Sequence, residues 1–220
     1  MVEQMNKGEL GGLLFFPRCM HSGLPLLVYL HGAGERGTNR SHLYRNAIPR
    51  LIGEGKEIPA VVLCPQCPTE YVWNNLVREL KVAIDETVQR YKIDQERIAL
   101  TGSSMGGFGA WEMGMTYPTY FSALAPVAGG GLAFRASNLR TTPVWAFHGT
   151  ADTVVESVYS ELMVDAVNRN GGNALLKRLE GLGHNDGIDY AYRYTRLIQW
   201  CLQERRTNFE AVPEFLNEWF

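Results

Sequence analysis

The strongest chemical signal in the chain is Gly102-Ser103-Ser104-Met105-Gly106-Gly107. It fits G-x-S-x-G and lies between an apolar run, Arg97–Thr101, and a segment with helical character, Met105–Tyr117. A serine on so tight a strand-to-helix turn has its hydroxyl lifted clear of the sheet, and the glycines let neighbouring backbone come close. The N–H of the next residue, Met105, opens a helix and can face a developing oxyanion. That makes Ser104 a candidate nucleophile, while Ser103 is one residue out of phase and reads as structural. The bland alternative is a glycine-rich helix cap without chemistry.

A serine hydroxyl is a weak nucleophile and needs a base, which in turn needs an orienting carboxylate. On this type of turn the partners follow in the order Ser, acid, His. Of the five histidines (His21, His31, His42, His148 and His184), only His148 and His184 follow the serine. Asp152, in HGTAD after the run VWAF, is the candidate acid, ahead of Glu156, Asp165 and Asp186. His184, in GLGHND, is the candidate base, expected on a Gly-flanked loop. His148 precedes Asp152 and reads as a structural loop histidine. A second glycine turn, His31-Gly32-Ala33-Gly34, follows LLVYL. It is placed to supply a second oxyanion N–H, from Ala33 first and Gly34 second. A phosphate-cradling loop is the rival reading, but neither G-x-x-x-x-G-K-[ST] nor G-x-G-x-x-G is present.

These residues need strands ending at one edge of a sheet. Continuous apolar runs at 26–30, 61–64, 121–128 and 144–147 have the character of strands buried on both faces, joined by a further run at 13–17 and by Ala174–Leu179. Helical spacing marks Leu76–Tyr91, Met105–Tyr117, Ser157–Asn168 and Tyr190–Leu202. Alternation of the two predicts an α/β fold, a mainly parallel sheet with helices on both faces. The expected chemistry lies in the loops beyond the strands' carboxyl ends. The length, 220 residues, suggests one domain spanning 1–220.

LLVYLHGAGERG, CPQCP with Trp73 downstream, LTGSSMGGFGAW, WAFHGTAD and GLGH together resemble the small α/β-hydrolase carboxylesterases. The nearest groups are feruloyl-esterase-like and polyhydroxybutyrate-depolymerase-like enzymes, with dienelactone hydrolases and lysophospholipase-like thioesterases as relatives. The resemblance runs from about Leu10 to Trp200. It implies an α/β-hydrolase fold without a cap domain and hydrolysis of carboxylic esters with no metal or organic cofactor. It also implies that Gly34, Gln66 and Trp73 lie near the substrate pocket. Dienelactone hydrolases carry cysteine where this chain has Ser104, which argues against that activity. Lysophospholipase or thioesterase activity, peptidase activity on the same triad, and a non-catalytic binding protein of the same fold remain as other readings.

The resemblance implies a small-molecule ester as partner, and composition points to no other. With 21 basic and 23 acidic residues the net charge is −2, so nothing favours nucleic acid. No apolar run approaches a membrane span, and MVEQMNKGEL lacks the pattern of a secretory leader, so a cytoplasmic location is expected. Cys64 and Cys67 form the one C-x-x-C; no second ligand pair suggests zinc, and Cys64 reads as an apolar strand residue rather than half of a redox pair. The connection GGGLAFRASNLRTTP is too short for a helical cap, and its three glycines predict a mobile loop. The stretch Glu35–Pro59 has room for one short helix. An open cleft bordered by Trp73 and the 129–140 loop is therefore expected. The aromatics of 209–220 are spaced as if to pack on the domain.

Overall fold

The computed structural model describes residues 2–5 and 10–206. Eight strands form one sheet in the order β1-β2-β4-β3-β5-β6-β7-β8: β1 Val2–Met5, β2 Gly12–Phe15, β3 Leu26–Leu30, β4 Val61–Pro65, β5 Ile98–Ser103, β6 Ala123–Val127, β7 Val144–Gly149 and β8 Ala174–Leu179. The pairs β1–β2 and β2–β4 are antiparallel and all others parallel. The helices are α1 Ala47–Gly53, α2 Val77–Tyr91, α3 Met105–Thr116, α4 Val158–Arg169, α5 His184–Tyr194 and α6 Leu197–Gln203.

Strand periodicity divides the core in two. Along β3, Leu26, Val28 and Leu30 face one layer with Leu80, Ile84 and Trp111 from α2 and α3. Leu27 and Tyr29 face the other, with Ile48, Leu51, Tyr192 and Ile198 from α1, α5 and α6. This is why the inner strands read as unbroken apolar runs: both faces are covered. The chain leaves β3 towards β4 and returns through β5 on the other side, so sequence order reverses at β3. Ligand crevices form at such switch points, beyond the carboxyl ends of the strands. Leu30 pairs with Gly102, which brings the turns after β3 and β5 out side by side.

Several expectations are corrected. The 190–202 helix is two helices, with Thr195 extended between them and its hydroxyl bonded to the Ala191 carbonyl at 2.5 Å. The first begins six residues earlier than expected, at His184, so His184 is the opening residue of a helix and not part of a loop. Glu35–Pro59 contains α1 and, in addition, a 3₁₀ helix at Arg40–Arg45. The 129–140 segment is packed. Gly130 lies against Tyr159 and Gly131 against Trp111, and Ala133–Leu139 is a 3₁₀ helix with Ala136 and Leu139 buried. Its glycines serve close approach rather than mobility. The aromatic run 209–220 lies outside the described residues.

Candidate active site

Ser104 stands between β5 and α3 with φ 55° and ψ −119°, a backbone conformation costly for any residue with a Cβ. The turn is gripped from both sides. The Ser104 N–H donates to the Val127 carbonyl at 2.9 Å, and a Cβ on Gly106 would lie 1.9 Å from the Leu30 oxygen. No other residue type fits there. Ser103 points down into the domain, its hydroxyl 3.0 Å from that of buried Tyr29, as expected of a structural serine.

The three polar side chains singled out from sequence meet. His184 Nε2 is 2.9 Å from Ser104 Oγ, and His184 Nδ1 is 2.6 Å from Asp152 Oδ2. The carboxylate that reaches the imidazole is that of Asp152, not of Glu156, Asp165 or Asp186. The loops carrying the two are joined: the Ala151 N–H donates to the Leu182 carbonyl at 3.1 Å, and Gly149 packs against that same carbonyl. A third tie runs underneath. Tyr192, two turns along α5 from His184, has its hydroxyl 2.9 Å from Thr101 Oγ1 on the serine's strand. Thr101 donates its own proton to the Ala125 carbonyl, so Tyr192 is the donor to Thr101.

Burial pushes the Asp152 carboxyl up, but hydrogen bonds from the Val155 N–H, His184 and the Val154 N–H outweigh it and hold the group below the usual carboxylate range. An ionised, fixed acceptor therefore faces His184 Nδ1. This is the state needed to keep the Nδ1–H tautomer and leave Nε2 free to take a proton from the serine.

Ala33 and Gly34 are exposed beside the serine, and a Cβ on Gly32 would come 3.6 Å from Ser104 Cβ. Ala33 is the first residue of a 3₁₀ turn, Ala33–Glu35, and Met105 is the first residue of α3. The leading N–H groups of a helix have no carbonyl partner within it, so both are available to an anion.

Two pocket expectations fail. Trp73 has no solvent exposure and Gln66 1%, so neither borders an open cleft. Both brace the 31–35 turn instead. The Trp73 indole donates to the His31 carbonyl at 2.9 Å, and Gln66 Nε2 donates to the Glu35 and Asn39 carbonyls at 2.8 and 2.9 Å while its Oε1 accepts from Arg40. Two buried residues of the same turn were not recognised from sequence as parts of this brace. His31 donates through Nδ1 to the Gly32 carbonyl at 2.6 Å and accepts at Nε2 from the Cys67 N–H at 3.0 Å. Burial lowers its pKa to about 4, which keeps the ring neutral. Glu35, 3% exposed, accepts from Asn46 beneath the turn. Its signal was a carboxylate inside HGAGER, where a solvated side chain would need no partner. Cys64 and Cys67 are buried free thiols, both pushed up by burial, Cys67 to about 11, which opposes thiolate chemistry.

The family model described as phospholipase/carboxylesterase matches residues 63–190, more than half of the chain. The chain belongs to the phospholipase/carboxylesterase family. This family member is 26% identical to a thermostable esterase of known structure, with a TM-score of 0.79 over 94% of this chain and 63% of that one. The feruloyl esterase module of Clostridium thermocellum shares the fold at a TM-score of 0.73, covering 96% of this chain and 91% of that one, with 15% identity. Poly(3-hydroxyalkanoate) depolymerase C of Paucimonas lemoignei is 28% identical over 140 residues, 57% of this chain and 32% of its own length. A bifunctional acetylxylan esterase/xylanase of Neocallimastix patriciarum is 32% identical over 72 residues, 33% of this chain and 11% of its own length. The chain thus spans a third or less of these two curated relatives. The resemblance to feruloyl-esterase-like and depolymerase-like carboxylesterases holds, as does the α/β-hydrolase fold. Among the described residues no helix is long and apolar enough to cross a membrane.

Proposed function

We propose that this chain is a serine carboxylesterase, folded as one domain, that works through an acyl-enzyme on Ser104. The observation that carries the reading is the unbroken hydrogen-bonded line Ser104–His184–Asp152, at 2.9 and 2.6 Å. Ser104 Oγ attacks the ester carbonyl as His184 Nε2 takes its proton. Asp152 offsets the positive charge that forms on the ring. The N–H groups of Met105 and Ala33 receive the oxyanion, each worth about 3–4 kcal/mol in sites of this kind. His184 then passes the proton to the leaving alcohol, the tetrahedral adduct collapses, and water repeats the sequence on the acyl group.

The substrates are soluble short-acyl esters, including aryl and sugar esters. Two features support this. The connection between β6 and β7, where a cap would be inserted, contains only the 3₁₀ helix Ala133–Leu139. Exposed or half-exposed apolar groups lie on the segments next to the triad residues. Phe108, one turn along α3, meets half-exposed Tyr159 edge-on at 5.9 Å, and Val154, beside Asp152, is 70% exposed. Aromatic faces of this kind suit a planar aryl group. The names of the relatives, a feruloyl esterase module and an acetylxylan esterase among them, agree with this choice.

The test is labelling with a p-nitrophenyl phosphonate, followed by peptide mapping and a kinetic panel. One equivalent on Ser104, with turnover of p-nitrophenyl acetate and methyl ferulate, is the expected result. Labelling elsewhere, or turnover of an aminoacyl amide in preference to every ester, would overturn it.

A further inference from the structure

His148 is the penultimate residue of β7, and its side chain is fully buried, as is that of Asp152. Both ring nitrogens have partners. Nε2 is 2.8 Å from the Val155 carbonyl and Nδ1 is 2.7 Å from Ser160 Oγ. A carbonyl can only accept, so Nε2 carries a proton. The same nitrogen lies 3.4 Å from Asp152 Oδ2.

Val155 is also one of the two residues that hold the acid. The N–H groups of Val154 and Val155 each donate to Asp152 Oδ1 at 2.9 Å, while Oδ2 accepts from His184. That clamp is internal to the turn: carboxylate and turn would shift together, and nothing in it refers to the serine. His148 supplies a side-chain reference outside the turn, besides the main-chain tie from Ala151 to Leu182. Its Nε2 end grips the acid turn, and its Nδ1 end grips Ser160 in the first turn of α4. Ser160 Oγ lies 2.7 Å from the Gly129 carbonyl oxygen. Gly129 in turn lies flat against Gly107 of the serine's own helix, where a Cβ would come within 2.6 Å of the Gly107 carbonyl carbon. Through Ser160 and Gly129 the imidazole is thus linked from the acid turn to the helix that begins just after Ser104.

We propose that His148 is a positioning residue of the ester-hydrolysing site, one that sets kcat by holding Asp152 in register with His184 and Ser104. The inference rests on the triad reading above. A carboxylate moved by a fraction of an ångström no longer fixes the His184 tautomer, and losses of position of that size cost rate rather than substrate binding.

The experiment is a double-mutant cycle on kcat and KM with dissolved p-nitrophenyl acetate. His148→Ala is expected to lower kcat about 10- to 100-fold with KM within about twofold. His148→Gln, whose amide can still donate to the Val155 carbonyl, recovers most of that loss. In an Asp152→Ala background, His148→Ala should cost less than about twofold, because the group it positions is gone. Should His148→Ala not fold, as judged by its thermal transition, Ser160→Ala is taken through the same cycle. It frees only the Nδ1 end, with an expected loss of about 3- to 10-fold that likewise vanishes without Asp152. Equal losses in both backgrounds, or unchanged kcat in both variants, overturn the inference and leave the triad intact. Full activity of Asp152→Ala alone would instead sink the triad reading.

Discussion

The indole N–H of Trp73 donates to the main-chain carbonyl of His31 at 2.9 Å, from a position without solvent exposure. The ring also meets the His31 imidazole edge-on, with centroids 5.0 Å apart. The tryptophan therefore fixes the turn that carries Ala33 from beneath, on the side away from solvent. Trp73→Phe keeps the ring packing and removes the N–H. It is expected to lower kcat about 10-fold, through a looser oxyanion donor, with KM unchanged. A rise in KM alone, measured over a series of aryl esters, would return Trp73 to the pocket wall.

Ser104 and Ser103 should separate cleanly. Ser104→Ala is expected to abolish ester hydrolysis. Ser103→Ala loses only the bond to Tyr29 and keeps most activity, at a stability cost of about 1 kcal/mol. Exchange of the two phenotypes would misplace the nucleophile.

The backbone of Ser104 gives a second test at the same residue. At φ 55° glycine is at ease and alanine is not. Ser104→Gly and Ser104→Ala should both be inactive, with the glycine variant the more stable by about 1 kcal/mol in urea titrations. Equal stability would mean that the turn is unstrained.

His31 predicts an acid sensitivity of the fold. Its folded pKa is lowered to about 4 by burial, while the unfolded chain takes up a proton near the ordinary value of 6.5. Between these values the unfolded state binds more protons, so stability rises with pH and is lost as pH falls from 6.5 towards 4. The loss is on the order of 3 kcal/mol. Urea unfolding at pH 7 and pH 4.5 should show this gap in the wild type and a smaller one in His31→Gln. An identical gap in both would clear His31 of the effect.

Access to the serine makes a kinetic prediction. Ala136 and Leu139 pin the segment between β6 and β7 to the core, so among the described residues that segment is not free to act as a lid for a lipid interface to open. The rate on a short-chain ester should rise smoothly to saturation and show no jump at the solubility limit. A marked preference for emulsified long-chain triglycerides would contradict the open site.

How much of this was legible in the sequence differs from residue to residue. Ser104, Asp152 and His184 could be picked out because each follows a short apolar run, and because a nucleophile, its base and its acid are restricted to few residue types. The strands Leu26–Leu30 and Ala174–Leu179 were legible to the residue, since their side-chain patterns and bounding turns leave little choice of end. The fold class followed from the alternation of such runs with helical spacing. Trp73, Gln66, His31 and Glu35 could not be sorted in this way. A polar or aromatic side chain in a glycine-rich turn can face substrate or face inward, and local sequence is the same in both cases. That choice is made by what lies beneath the turn: the His31 carbonyl waiting for the indole, and the Glu35 and Asn39 carbonyls waiting for the Gln66 amide. His148 is the same case, since its partners at Val155 and Ser160 become neighbours only when α4 packs against β7. The sequence by itself determined which groups are the candidates for the chemistry. Only the tertiary structure decided which groups hold them still, because a buried hydrogen bond is a property of two segments brought together, and neither segment records it alone.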